Sequence, residues 1–345
     1  MENYPEYFKN ENELEEALSM PTPGVIELIK NLKGDIIFLG VAGKMGVSMA
    51  RMTKKACDIA GVKKRIIGVS RFSSEEQRQF LEDSGIETFK GDLMDLDFIS
   101  SLPEVENVYY LAGMKFGTDG NESLTWAMNS YLPGLVADKF KNSKIVAFST
   151  GCVYPFISHK SGGSKETDQT NPVGEYAQSC LGRERLFEFG SNKNQTPVSL
   201  IRLFYAVEMR YGVLVDIATK VYNEQPVDVT MGYANVIWQG DANAMILQTI
   251  LHCKTPAFPI NITGPELISI KEIAYKFGKL MNKPVKITGT ENDTALLGNA
   301  ELSFKLFGKP KISINNILRW TAKWIEDEKR LLGKPTHFET RDGKY

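Results

Sequence analysis

Short apolar runs alternate with longer amphipathic stretches through the middle of the chain. Residues 35–39 (DIIFL), 65–69 (RIIGV), 86–90, 107–112 (NVYYLA), 144–149 (KIVAFS) and 198–203 (VSLIRL) have strand length, and most are nearly continuously apolar. Such runs predict strands buried on both faces. Residues 44–60, 74–84, 95–102, 124–142 and 175–190 read as helices between them. Strands alternating with helices predict an α/β protein with a doubly wound parallel sheet of Rossmann type. This unit spans residues 34–205. Residues 1–33 precede it as a helical extension, with helices at 13–18 and 25–32 separated by Pro21 and Pro23. The extension is expected to pack on the main domain. Beyond residue 206 the rhythm loosens, and residues 206–345 are expected to form a smaller substrate lobe with elements returning to the first domain.

The length of 345 residues agrees with about two lobes. The 41 Lys+Arg nearly cancel the 42 Asp+Glu. That balance argues against a dedicated nucleic-acid binder, which carries a basic surplus. Cys57, Cys152, Cys180 and Cys253 show no CxxC spacing, and there are only three histidines, so a structural zinc site is not expected. His159 and His337 are too isolated for a catalytic role. The acidic N-terminus lacks the apolar run of a secretory signal, and no stretch approaches the 18 apolar residues of a membrane span. The expected setting is the cytoplasm, with reduced thiols.

The first strand runs into Gly40-Val-Ala-Gly43-Lys44-Met45-Gly46, which opens the first helix of the sheet unit. Glycines permit a tight turn and a close backbone approach, and the helix start presents N–H groups and positive potential to a pyrophosphate. The segment therefore predicts dinucleotide binding. An acidic residue after the second strand would hold the ribose of NAD(H). Ser70 and Arg71 stand there instead, and a hydroxyl beside a guanidinium suits a 2′-phosphate. NADP(H) is the favoured cofactor and NAD(H) the alternative.

Further motifs follow in order. They are Gly91-Asp92-Leu93, Leu111-Ala112-Gly113-Met114-Lys115, Asn129 four residues before Pro133, Phe148-Ser149-Thr150-Gly-Cys-Val153-Tyr154, Glu175-Tyr176, Arg202-Leu203-Phe204 and Asn261-Ile-Thr-Gly264-Pro265-Glu266. With GxxGxxG they resemble the extended short-chain dehydrogenase/reductases, the NAD(P)-dependent sugar epimerases and dehydratases, over residues 35–330. The resemblance implies that Asp92 and Leu93 meet the adenine side and that Lys115 reaches the cofactor phosphates. It further implies that Leu111, Ala112, Gly113, Asn129 and Ser149 line the cofactor and that Phe204 lies against the nicotinamide. It also implies a homodimer paired through the helices at about 124–142 and 175–190.

Oxidising a secondary hydroxyl needs a base for its proton. A tyrosine serves if its pKa falls from about 10 toward neutrality. Tyr176 is the candidate acid/base, and Thr150 the hydroxyl that holds the substrate oxygen. The family pattern is YxxxK, but here Cys180 stands four residues after Tyr176. A cation at about 4 Å contributes on the order of 4 kcal/mol at an effective dielectric near 20. Arg183 shares that helix face and is a candidate replacement. The rival reading is a non-catalytic dinucleotide-binding sensor or scaffold with a degenerate site.

Nucleotide-sugar members carry an arginine for the diphosphate where this chain has Ala234, within Met231-Gly-Tyr-Ala234-Asn235-Val-Ile-Trp238-Gln239. A diphosphate needs cationic partners. A free sugar or sugar acid thus stands beside a nucleotide-linked sugar as substrate, with Asn235 and Trp238, and with them Gln239, as candidate pocket contacts. A dehydratase is disfavoured, because Gly151-Cys152 follows the threonine where the resembling enzymes have Asp-Glu.

Overall fold

The structure, a computed structural model, describes residues 4–115 and 117–344. Of the 1–33 extension, residues 1–3 lie outside the described residues, as does Tyr345 of the smaller lobe. The extension folds as helices α1 (Glu11–Leu18) and α2 (Pro23–Asn31). Asn10 caps α1, its side chain accepting from the Glu13 N–H at 2.9 Å. Thr22 caps α2 with Pro23 in the first turn, where a missing N–H does no harm.

The main sheet has seven parallel strands. They are β1 (Ile36–Leu39), β2 (Ile66–Ser70), β3 (Glu87–Lys90), β4 (Asn107–Tyr110), β5 (Lys144–Thr150), β6 (Val198–Leu203) and β7 (Phe258–Ile262), in the spatial order β7-β6-β5-β4-β1-β2-β3. The chain order reverses beside β1. Open α/β sheets bind ligands outside the strands' carboxyl ends at such a reversal. The apolar runs are explained by burial on both faces. Phe38, Tyr109 and Val146 join one core, while Leu39, Tyr110 and Ala147, their chain neighbours, join the other.

Helices α3 (Gly46–Ala60), α4 (Glu75–Asp83) and α5 (Leu96–Ser101) follow the first three strands. The helix expected at 124–142 is instead three pieces, α6 (Glu122–Trp126), a π-helical turn (Ala127–Tyr131) and α7 (Leu132–Lys139). Pro133 accounts for the interruption. It has no N–H to give the Asn129 carbonyl one turn earlier, so the ladder shifts and Leu132 N–H bonds to the Ala127 carbonyl. The wide turn buries the Asn129 side chain. Helix α8 (Gly174–Asn194) follows β5.

The C-terminal part adds α9 (Val213–Tyr222), α10 (Gln239–Gln248), α11 (Ile270–Leu280), α12 (Glu301–Phe307) and α13 (Ile314–Glu326). A small sheet joins Leu267–Ser269, Tyr233–Trp238 and Tyr205–Val207. Helix α10 and strand β7 return to the main sheet, and Tyr109 donates its hydroxyl proton to the Leu247 carbonyl at 2.6 Å. The extension is shared between the two cores. Val25, Leu28 and Ile29 pack beneath the main sheet, whereas Phe8, Leu14 and Leu18 join the C-terminal core. Arg210 ties it down further, reaching Glu15 at 2.7 Å and Glu11 at 3.2 Å.

Candidate active site

The glycine turn lies at the carboxyl end of β1. Gly40 has φ +90°, and a Cβ on it would stand 2.7 Å from the Ala112 nitrogen, so the turns after β1 and β4 touch backbone to backbone. No side chain caps α3. Its first N–H groups and its positive end therefore face the turn, an arrangement that fits a pyrophosphate. Met45 is buried in the core beneath. The Lys44 side chain leaves the turn toward the C-terminal part. Its ammonium donates to the Ala206 carbonyl at 2.6 Å and sits 4.0 Å over the Tyr211 ring. Burial lowers its pKa to about 7; Glu208 opposes that shift and Lys115 adds to it.

At the end of β2, Ser70 is half-buried and Arg71 is exposed. Arg71 has no hydrogen bond or ion pair among the described residues. Asp92 accepts from the Met94 N–H at 3.0 Å, which shapes the turn after β3. The Leu93 side chain belongs to the core rather than to the cofactor face, while Leu111 and Ala112 pack on opposite cores.

Tyr176, in the first turn of α8, lies beside Thr150 at the end of β5 and packs with Cys180. Thr150 Oγ1 accepts from the Cys152 N–H at 3.2 Å. Burial pushes the Tyr176 phenol well above its ordinary range, and the neighbouring Cys180 and Cys152 add to this. Arg183 and Thr150 act the other way. Burial likewise lifts the Cys180 thiol to about 11.

Arg183 is buried, and its donors are engaged. It reaches the Phe148 carbonyl at 2.9 Å, Asn129 Oδ1 at 2.5 Å and the Asn129 carbonyl at 3.4 Å. Asn129 in turn clamps Met114, accepting from its N–H and donating to its carbonyl, both at 2.8 Å. The Arg183 guanidinium fills the space a side chain on Gly113 would need.

Four of the expected site residues are engaged elsewhere in the structure. Ser149 is buried and donates to Glu184 Oε1 at 2.6 Å. Trp238 does not line a pocket, since it is fully buried, stacked on Phe8 at 6.0 Å and edge-on to Trp320 at 5.4 Å. Asn235 is buried with its amide committed, donating to the Glu266 carbonyl and accepting from the Gly298 N–H, both at 3.1 Å. Gln239, its companion in the sequence, is equally buried and donates to Ser48 at 3.2 Å. Phe204 packs between Gly151 and Gly298 and stacks on Tyr154 at 6.2 Å.

Sequence reasoning did not single out Tyr205, Tyr211 and Asp216; Tyr205 and Tyr211 interact electrostatically with Cys152, and Asp216 with Lys115 and Tyr211. Tyr205 directly follows the quoted Phe204. Tyr211 and Asp216 lie where no motif marks them. Among the described residues no group of His, Cys, Asp and Glu is arranged to hold a metal ion.

No protein-family profile matches the chain. No curated protein matches its sequence. Solved structures do match its fold. An epimerase from Methanothermobacter thermautotrophicus is 18% identical, with a TM-score of 0.73 over 89% of this chain and 97% of its own. UDP-glucuronic acid 4-epimerase from Bacillus cereus, solved as a Tyr-to-Phe variant with NAD and a fluorinated substrate analogue, is 17% identical, with a TM-score of 0.71 over 85% and 99%. dTDP-glucose 4,6-dehydratase from Bacillus anthracis, solved with NAD, is 16% identical, with a TM-score of 0.72 over 85% and 96%. The chain thus has the fold of those epimerases and that dehydratase, built on a Rossmann-type parallel sheet.

Proposed function

We propose that this chain is an NAD(P)-dependent oxidoreductase or epimerase acting on a secondary hydroxyl of a sugar or sugar-like substrate. The observation that carries this reading is the placement of the Tyr176 phenol beside Thr150 at the carboxyl end of β5. Thr150 would hold the substrate oxygen and steady negative charge on it. Tyr176 would take the hydroxyl proton during oxidation and return it during reduction. Tyr154, Phe204 and Leu296 wall off the same corner from water. The glycine turn and the open start of α3 would hold the pyrophosphate of a nicotinamide dinucleotide, Asp92 its adenosine, and Ser70 with Arg71 a 2′-phosphate. When bound, the cofactor supplies reversible hydride transfer. Ala234 is buried in the small sheet and offers no cation to a diphosphate, which supports a free sugar or sugar acid over a nucleotide-linked one.

One observation favours a second reading. Cys180 in place of a lysine, with Tyr176 held protonated by burial, suits a dinucleotide-binding sensor without turnover.

A homodimer through the α6–α7 segment and α8 is part of the proposal. Leu124, Tyr131 and Phe189 are exposed there, as is the Trp126 ring, apolar surface of the kind a partner copy covers. None of the four cysteines is in a disulfide, which supports a reducing compartment such as the cytoplasm. No helix among the described residues is long and apolar enough to cross a membrane.

The test is a fluorescence titration of nucleotide-stripped protein with NADPH and NADH, followed by a turnover screen of sugars, sugar acids and nucleotide sugars. Binding and turnover are expected, with Tyr176→Phe abolishing turnover while cofactor binding survives. Undiminished turnover in that variant removes Tyr176 from the chemistry. Binding without turnover on any substrate favours the sensor.

A further inference from the structure

Residues 336–344 run from α9 to the start of α8, the helix that carries Tyr176. The first half of this stretch is anchored. Thr336 bonds to the Asp216 carboxylate on α9, through its N–H at 2.8 Å and its hydroxyl at 2.5 Å. Phe338 is buried in the C-terminal core, and Glu339 pairs with Lys220 of α9 at 3.3 Å.

The second half is held differently. Residues 339–344, ETRDGK, bring no apolar side chain to bury. Arg341 reaches Thr294, donating to its carbonyl at 2.7 Å and to its hydroxyl at 2.6 Å, and lies 4.5 Å over the Phe156 ring. Gly343 then rests on Val173 and Gly174, backbone against backbone. A Cβ on Gly343 would stand 2.3 Å from the Val173 carbonyl oxygen, and one on Gly174 would stand 2.5 Å from the Gly343 carbonyl oxygen. Only glycine allows so close an approach. Gly174 opens α8, two residues before Tyr176.

The candidate active site lies under this seat. Gly343, Val173, Phe156, Leu296, Tyr154 and Cys152 line a cavity of about 10 Å³. Tyr154 and Leu296 share one packed cluster with Tyr176, and Phe156 and Cys152 pack against it. Cys152 in turn donates its N–H to Thr150 Oγ1 at 3.2 Å. Such a cavity is roughly the room of one water, whereas a small-molecule pocket has about 300–1,000 Å³. On this side the corner that holds Thr150 and Tyr176 is closed to a sugar while Gly343 is seated.

We propose that residues 340–344 are a strap shut across the substrate entrance, latched by Arg341 on Thr294, and that the strap lifts from Gly174 to admit the sugar. The inference rests on Thr150 and Tyr176 being the catalytic pair proposed above. Phe338, buried beside the hinge, keeps the first half in place when the second half moves. A segment held by one polar latch and a backbone contact, with no apolar anchor of its own, opens at far less cost than the whole fold. A fixed wall would be built the other way, with an apolar side chain sunk among Tyr154, Phe204 and Leu296.

The test reads the entrance with neither cofactor nor sugar present. Cys152 lines the cavity, so its alkylation by N-ethylmaleimide, located by peptide mass mapping, reports how often the strap is lifted. Arg341→Ala removes the latch and Gly343→Ala the seat, and both leave Thr150, Tyr176 and the glycine turn untouched. Lys344→Ala, at an exposed side chain of the same strap, is the control. Each of the first two variants should speed Cys152 alkylation roughly tenfold to a hundredfold, with Cys57 and Cys253 as slow as in the native chain and the control unchanged. Unchanged Cys152 rates in both variants overturn the inference. So does an equal acceleration at Cys57 and Cys253, which is general loosening. Turnover then separates a gate from a wall. The opened variants should raise kcat/KM for the sugar, and an unchanged or lower value with faster alkylation makes the strap a fixed part of the pocket. Failure of the proposed function has a different signature and sinks both: native chain and opened variants alike bind neither nucleotide and turn over no sugar, whatever their alkylation rates.

Discussion

The Arg183 guanidinium fills the volume beside the Gly113 α-carbon that any side chain there would need. This joins three segments, because Arg183 also holds Asn129 and Asn129 holds Met114. Gly113→Ala is expected to drive Arg183 out and leave buried polar groups without partners, a cost of about 1–3 kcal/mol. Gly134→Ala is the control. Its Cβ would meet only the end of Leu186 at 3.3 Å, and alanine favours the helix. Urea denaturation should show a loss for the first variant and none for the second. Equal effects would dissolve the link between Gly113 and Arg183.

Beneath the same strand end, Arg202 and Glu184 form a two-pronged ion pair at 2.8 and 3.0 Å, with side chains 5% and 0% exposed. Ser149 and Tyr154 complete it, at 2.6 Å to Glu184 and 2.7 Å to Arg202. Removing one member strands a buried charge. Glu184→Leu should therefore cost about 3–5 kcal/mol, and Glu184→Leu with Arg202→Met distinctly less. A double variant as unstable as the sum of the single ones would show that the two side chains act independently.

The sheet was legible because its signals are local. Apolar runs such as IIFL and KIVAFS state burial on two faces, and the glycine turn marks the start of α3. Thr150 and Tyr176 were legible by motif, and the structure brings them into contact. What failed depends on distant partners. Trp238 is covered by Phe8 and Trp320, residues far away in the chain, and nothing around Trp238 announces them. Ser149 reads as a cleft residue until Glu184 is seen beneath it. The π-helical turn had a visible cause in Pro133, but the burial of Asn129 that follows from it belongs to the packed structure.

Arg71 offers a clean test of cofactor choice. It is exposed at the end of β2 and has no partner among the described residues, so removing it disturbs nothing internal. Arg71→Ala should leave stability unchanged. It should weaken NADPH binding by roughly tenfold to a hundredfold, as expected for a lost bond to a charged group, and leave NADH binding nearly unaltered. Equal losses for the two nucleotides, or none, would remove Arg71 from recognition of the 2′-phosphate.

Lys44 makes stability depend on pH in a direction fixed by its surroundings. Its ordinary value is 10.5, and in the fold burial brings it to about 7. Below about pH 7 the side chain is protonated both folded and unfolded, so the cost of burying the ammonium is fully present. Between about 7 and 10.5 the unfolded chain binds more protons than the folded one. Stability then rises with pH, by linkage. Burial also shifts neighbouring groups, Glu208 and Asp216 upward and Lys115 downward, so the useful quantity is a difference. Urea midpoints of the native chain and of Lys44→Met should converge or cross as pH rises from 6 to 9, the native chain gaining on the variant. The bond to Ala206 and the contact with Tyr211 add an offset but little slope over that window. A flat difference would mean that Lys44 keeps an ordinary affinity for its proton, and that its ammonium is better solvated than its place between Ala206 and Tyr211 implies.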